Sequence, residues 1–129
     1  MTKYLFDSHA LFWFLDGDER LSRKARAATG VADAILVASA VSAWEFANKV
    51  RIGKWPEVRR FAEDFIELTA VHQFELLPVT PEHAKLAGFM PGAHRDPFDR
   101  MLAAQSQIER MPLVTADPVF KTFGTKVIW

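Results

Sequence analysis

Cysteine is absent from this chain of 129 residues, and so is any apolar run long enough to cross a bilayer. The lack of cysteine excludes disulfide scaffolds and zinc sites built from thiolates, and it favours a reducing compartment. The N-terminus, Met-Thr-Lys-Tyr-Leu-Phe-Asp, lacks the apolar core of a signal peptide. A membrane-spanning helix needs about 20 apolar residues. We therefore expect a single cytoplasmic domain, residues 1–129, that does not contact membranes.

An excess of charge of either sign is also missing, because 16 basic residues balance 16 acidic ones. The molecule as a whole is therefore not a polyanion binder. The charge is unevenly distributed, since residues 20–60 contain nine Lys or Arg and three acids, whereas residues 61–99 contain seven acids and two basic residues. This pattern indicates either a basic surface beside an acidic cleft or ordinary solvated helix faces.

Several catalytic signatures are missing as well. The chain contains no Gly-rich phosphate loop, and no G-x-S-x-G motif surrounds Ser8. The histidines lack the i, i+4 spacing of a zinc-binding helix, and we expect most of them at the surface or in helix caps. They are His9, His72, His83 and His94. Phe12, Trp13, Phe14 and Trp44 could stack on nucleobases, although burial in the core or at a subunit contact is the favoured interpretation.

Short apolar runs alternate with helical segments along the chain. The runs predict strands at 3–6, 34–38, 74–79, 113–115 and 126–129. Helices are predicted at 21–29, at 42–50, from Pro56 through Leu68, at 81–88 and from Pro97 through Ile108. This alternation predicts an α/β fold with a central parallel β-sheet flanked by helices.

Four short stretches place an acid where a strand should end and a helix should begin. In parallel sheets the carboxyl ends of the strands share one edge, and ligands bind in the crevice there. Acids that are far apart in sequence are therefore expected to converge at that edge. The acids are Asp7, Glu45, Asp96 with Asp99, and Asp117.

Helix capping explains most of these acids when each is taken singly. Ser42 and Glu45 have the spacing of a capping box. Asp96 before Pro97 is typical of an N-cap followed by proline at the first helical position, and Asp117 before Pro118 repeats that signature. Asp7 fits less well, because the adjacent Ser8 is the better cap.

Capping does not explain why every one of these positions is a carboxylate rather than a mixture of Ser, Thr, Asn and Asp. Like charges gathered at one edge repel and raise one another's pKa unless a cation lies between them. Mg²⁺ and Mn²⁺ prefer carboxylate oxygen and water, and Mg²⁺ keeps waters that a substrate phosphate can displace. The acids together therefore predict a Mg²⁺ or Mn²⁺ site.

At these residues the chain resembles PIN-domain proteins, and specifically the VapC toxins of bacterial toxin–antitoxin pairs. The resemblance covers essentially the whole chain in the right order, and its second and third motifs are the most specific. The four matching segments are Leu5–His9, Ser42–Lys54, His94–Gln105 and Leu113–Pro118.

The resemblance implies a PIN-like α/β/α fold and a Mg²⁺- or Mn²⁺-dependent endoribonuclease. It also implies three partners: an RNA substrate, a cognate antitoxin that covers the acidic cleft, and a second copy of the chain in a homodimer. Small hydroxyls beside the site fall on Ser8 and Thr115. The acids that would bind metal and carry catalysis fall on Asp7, Glu45, Asp99 and Asp117, with Asp96 as a further metal ligand.

Two other functions remain open on the sequence. A catalytically inert PIN-like interaction module would keep the fold, and the loss of a principal acid would favour it. An Asp-based phosphatase would need a second Asp two residues after Asp7, where His9 stands instead.

Overall fold

The computed structural model describes all residues from Met1 to Trp129, and five parallel strands form its central sheet. The strands are β1 (Lys3–Phe6), β2 (Ile35–Ser39), β3 (Glu75–Leu77), β4 (Leu113–Val114) and β5 (Val127–Ile128). The helices are α1 (Ser8–Asp16), α2 (Arg23–Thr29), α3 (Ala40–Arg51), α4 (Arg59–Glu63), α5 (Phe65–Val71), α6 (Pro81–Phe89), α7 (Pro97–Glu109) and α8 (Val119–Thr122). No helix combines the length and the hydropathy needed to traverse a bilayer.

Buried side chains pack on both faces of the sheet. Successive residues of each strand point to opposite faces and so contribute to both. Phe6, Ala38 and Val114 belong to one buried cluster, which also takes in side chains of α1, α3, α4 and α5. Their neighbours Leu5, Val37 and Leu113 belong to a second cluster with α6, α7 and α8. The predicted α/β/α architecture is confirmed.

The strand order β3-β2-β1-β4-β5 creates a switch point between β1 and β4. The chain builds outward from β1 to β2 and β3, and then returns to the other side of β1 with β4 and β5. Such a reversal leaves a crevice at the carboxyl ends of the two central strands, where ligands bind in open α/β sheets. The residues that follow β1 and β4, Asp7 and Thr115, line this crevice.

Two predicted elements differ from the structure. The long helix expected from Pro56 is divided into a 3₁₀ turn (Pro56–Val58), α4 and α5, and Asp64 separates the two α-helices. Its predicted apolar face is nevertheless retained, since Val58, Phe61 and Phe65 are buried. The helix expected to start at Pro118 after an Asp117 cap is only one turn long, α8, and its N-cap is Pro118 rather than Asp117.

Candidate metal centre

Asp7 lies at the N-terminus of α1, directly after β1, and is 6% exposed. One carboxylate oxygen, Oδ1, accepts a hydrogen bond of 2.8 Å from the Ala10 N–H, and the Thr115 hydroxyl donates to Oδ2. The expectation that Ser8 caps this helix is wrong. Asp7 has the extended backbone of an N-cap and Ser8 is the first helical residue, so the Ser8 hydroxyl is free to turn elsewhere.

The buried position of Asp7 disfavours its charged form. Burial raises the pKa of the Asp7 carboxyl from 3.8 to about 7, while the hydrogen bonds from Thr115 and Ala10 oppose the shift. The charges of Asp99 and Glu45 raise the same pKa further. Asp7 is therefore only partly ionised near neutral pH, and a nearby cation would favour its charged form.

Glu45 lies within α3, and its predicted role in a capping box is wrong. The helix begins at Ala40 with Ser39 as its N-cap, so Glu45 lies beyond the first turn and far from the orphan amides. Its side chain is 3% exposed. The Ser8 hydroxyl donates to Oε1 at 2.6 Å, and the Lys49 ammonium, one turn further along α3, binds Oε2.

Lys49 supplies positive charge to this group of acids. Burial lowers the pKa of Lys49, but its hydrogen bond to Glu45 and the charges of Glu45, Asp96 and Asp99 outweigh burial and raise the pKa above its ordinary value. The ammonium therefore stays protonated among the carboxylates. Nothing in the sequence alone distinguishes Lys49 from the other basic residues.

Asp96 and Asp99 begin α7, and no strand precedes them. The expectation that they follow a strand is wrong, because the segment before them is the loop that leaves α6. The capping interpretation of Asp96 is confirmed, since its carboxylate accepts hydrogen bonds from the N–H groups of Phe98 and Asp99 at 2.8 and 3.1 Å. α7 leads back to β4 and so runs opposite to the strands, which brings its first turn to their carboxyl edge.

Asp99 faces the acids from this first turn of α7. Burial raises the pKa of its carboxyl to about 6, and the hydrogen bond from His94 opposes the shift. The charges of Asp96 and Glu45 raise it further. His94 Nε2 lies 2.8 Å from Asp99 Oδ2. The sequence offered no sign of this contact, because it depends on the path of the loop before α7.

Asp117 lies at the rim of the site. It is exposed, and its carboxylate accepts a hydrogen bond of 2.9 Å from the Val119 N–H. Its own N–H donates to the Thr115 hydroxyl, which in turn donates to Asp7. Burial lowers the pKa of His9, and the charges of Glu45 and Asp117 oppose that shift. Asp117 is thus linked to the other acids only indirectly, through Thr115 and His9. The charges that raise the pKa of Asp7 are instead those of Asp99 and Glu45.

Asp7, Glu45 and Asp99 lie near enough for the charge of Glu45 to raise the pKa values of Asp7 and Asp99, and we call these three residues the acidic cluster. No three acidic or histidine side chains are close enough to hold an ion between them. Lys49 and His94 instead bind two of the carboxylates. Carboxylates with adjacent hydroxyls are the oxygen donors that hard divalent cations prefer, so the residues suit Mg²⁺ or Mn²⁺ in donor type.

The sequence matches the model of a known protein family. The family model of the PIN domain matches residues 4–126. The chain belongs to the PIN-domain family. No match is found among curated proteins.

Solved structures share the fold of this PIN domain at low sequence identity. VapBC2 from Rickettsia felis, bound to a DNA fragment from its promoter, aligns with a TM-score of 0.68 and 12% identity over 98% of this chain and 96% of that chain. VapC20 from Mycobacterium tuberculosis, a toxin that cleaves the sarcin–ricin loop, gives 0.63 and 14% over 95% of both chains. A toxin–antitoxin complex from Klebsiella pneumoniae gives 0.56 and 17% over 88% and 86%.

The contribution of Asp7 to the stability of the metal-free PIN domain should fall as the pH rises from about 4 to about 7. The pKa of Asp7 is higher in the folded protein than its ordinary value, so the folded state holds a proton that the unfolded chain releases. A shift of this size corresponds to at most about 4 kcal/mol. Melting temperatures in EDTA, compared between wild type and Asp7→Asn across this range, isolate the contribution of Asp7. We expect the variant to melt higher at neutral pH, and an identical pH dependence of the two proteins would contradict the assigned pKa.

Proposed function

We propose that this PIN domain is a Mg²⁺- or Mn²⁺-dependent endoribonuclease that acts as the toxin of a toxin–antitoxin pair. The observation that carries the proposal is the acidic cluster, buried at the switch point of the sheet with the pKa values of Asp7 and Asp99 raised. Structural neighbours support it, because they include a toxin that cleaves an RNA loop and a toxin–antitoxin complex. A cytoplasmic location and a homodimer belong to the same proposal.

In this proposal the acidic cluster holds the ion, and Asp117 completes the site from the rim. An ion bound there, Mg²⁺ or Mn²⁺, would polarise a phosphate of the RNA and activate water for in-line attack. Asp96 remains the cap of α7 and adds negative charge beside Asp99.

The neighbouring side chains orient the acids and the substrate. Ser8 and Thr115 fix the carboxylates of Glu45 and Asp7 through hydrogen bonds, which restricts both acids to one orientation. Ser8 is 2% exposed and donates to Glu45, so it does not serve as a nucleophile. Lys49 keeps 24% of its side chain exposed and can bind a phosphate oxygen of the RNA backbone.

One observation favours a second candidate, the catalytically inert interaction module. Lys49 already binds Glu45 and His94 binds Asp99, so two of the three carboxylates of the acidic cluster have partners without an ion. An assay on the purified chain separates this candidate from the nuclease and from the Asp-based phosphatase. Unstructured RNA and a phosphate monoester are incubated separately with Mg²⁺, with Mn²⁺ or with EDTA.

We expect RNA cleavage with either metal, none in EDTA, and no hydrolysis of the monoester. Intact RNA under all conditions would favour the interaction module, and monoester hydrolysis would favour the phosphatase. Co-expression with the product of the neighbouring gene tests the antitoxin, which we expect to copurify and to inhibit cleavage.

A further inference from the structure

A cleft of about 570 Å³ opens next to the acidic cluster. Four aromatic side chains form its walls, namely Phe12, Trp13, Trp55 and Phe61. Its polar groups are His9, Asp16, Arg20 and Glu57. The volume and the combination of apolar walls with a few polar groups are typical of a site for a small ring system.

The cleft and the acidic cluster share a border. His9, which lines the cleft, is two residues from Asp7 and belongs to the same first turn of α1. On the other side, the Lys49 ammonium lies 5.8 Å from the centre of the Trp55 ring while it binds Glu45. An RNA strand whose backbone crosses the acidic cluster would therefore have a base beside this cleft.

The His9 and Trp55 rings stack on each other, and we call this pair the His9–Trp55 platform, whose outer face is that of the exposed His9 ring. The His9 and Trp55 rings stack with centroids 4.3 Å apart and planes inclined by 25°. Trp55 is held from behind by edge contacts with Phe12 and Phe46 at 5.7 and 5.4 Å. Trp13 adds a third ring, 5.9 Å from His9. Unpaired bases in RNA-binding proteins stack on platforms of this kind.

Two carboxylates of the cleft lack a basic partner. Neither Asp16 nor Glu57 takes part in any of the salt bridges, and Arg20, the basic residue between them, is paired with Asp18. Asp16 is moreover the last residue of α1, where a negative charge is unfavourable with respect to the helix dipole. Both carboxylates lie near enough to Arg20 to favour its charge, but neither side chain makes a hydrogen bond, so both offer acceptors to a ligand.

We propose that this cleft binds an unpaired guanine base of the RNA substrate, stacked on the His9–Trp55 platform and read by Asp16 and Glu57. The inference rests on the proposed ribonuclease function, since it assigns the base beside the cleavage site. Guanine presents two adjacent donors, N1–H and N2–H, to the two oxygens of a carboxylate. Adenine, cytosine and uracil place an acceptor next to their donor, which a carboxylate repels.

The test measures binding of the full chain to five-nucleotide RNAs in EDTA, where cleavage cannot occur. The RNAs are oligouridylates with G, A, C or U at the central position. We expect the G-containing RNA to bind at least about tenfold more tightly than the others, which is the discrimination typical of one bidentate contact. The double variant Asp16→Asn, Glu57→Gln should lose this preference while its melting temperature stays the same or rises. Glu63→Gln, an exposed acid outside the cleft, is the matched control and should keep the preference.

Equal affinity for all four RNAs would overturn the proposal, as would a guanine preference that survives the double substitution. A cleft that instead takes a side chain of a protein partner gives the first of these results. The outcome is distinguishable from failure of the proposed function. Metal-dependent cleavage without base preference removes only the guanine site, whereas guanine-selective binding without cleavage keeps the site and removes the nuclease.

Discussion

Replacement of Asp7 by Asn should abolish metal-dependent RNA cleavage and leave the fold intact. Asn keeps the shape of the side chain and a carbonyl oxygen that can still accept from the Ala10 N–H, so the cap of α1 is retained. It loses the negative charge that a divalent cation requires. Since a bound ion contributes several kcal/mol to the stabilisation of the transition state, we expect a loss of at least about 100-fold in cleavage rate.

Cleavage of an unstructured RNA at saturating Mn²⁺ measures this effect, and circular dichroism monitors the fold. Asp33→Asn is the matched control, because Asp33 is an exposed acid in the turn before β2. The control should cleave at the wild-type rate. Wild-type activity in Asp7→Asn would remove Asp7 from the site and with it the proposed role of the acidic cluster.

The sequence predicted the architecture because each buried strand is a continuous apolar run. Lys3–Phe6 is predicted with the bounds observed, and the same pattern fixes Asp7 at the carboxyl edge of the sheet. The helix of Asp96 is also predicted to start where it does, since Asp-Pro leaves little choice of N-cap. These features depend on residues that are neighbours in the sequence, so the sequence alone predicts them.

Features that depend on tertiary contacts were not predictable in this way. α3 begins at Ala40 because the Ser39 hydroxyl accepts from the Val41 N–H, and a second Ser at position 42 misled the capping interpretation of Glu45. Trp44, expected in the core or at a subunit contact, does not lie in the core, and the subunit contact stays a prediction. Its ring packs edge-on against Phe98 and yet is 55% exposed.

The contacts between acidic and basic side chains were also not predictable from the sequence alone. Lys49 meets Glu45 through ordinary helical spacing, but the burial that makes this pair important comes from the packing of α3 beside α1 and α7. The roles of individual residues in metal binding also depend on this packing. Substitution of Glu45 and of Lys49 therefore tests the metal site most directly.

Glu45→Gln and Lys49→Met should change Mn²⁺ affinity in opposite directions. Glu45→Gln replaces a carboxylate ligand by a neutral amide that can still accept from Ser8, so we expect affinity to fall more than about tenfold and cleavage to fall with it. Lys49→Met keeps the apolar stem and removes the ammonium that competes with the ion for Glu45, so affinity should rise.

Lys49→Met also leaves the buried Glu45 carboxylate without a basic partner, with only the hydrogen bond from Ser8, which should lower the melting temperature of the metal-free protein. Because an ion that binds only the folded state stabilises it, Mn²⁺ should restore that melting temperature in Lys49→Met and do little for Glu45→Gln. Calorimetric titration with Mn²⁺ and thermal melts with and without the metal measure both effects. If Glu45 only serves as the partner of Lys49, neither substitution changes Mn²⁺ affinity, and that result would leave Glu45 outside the metal site.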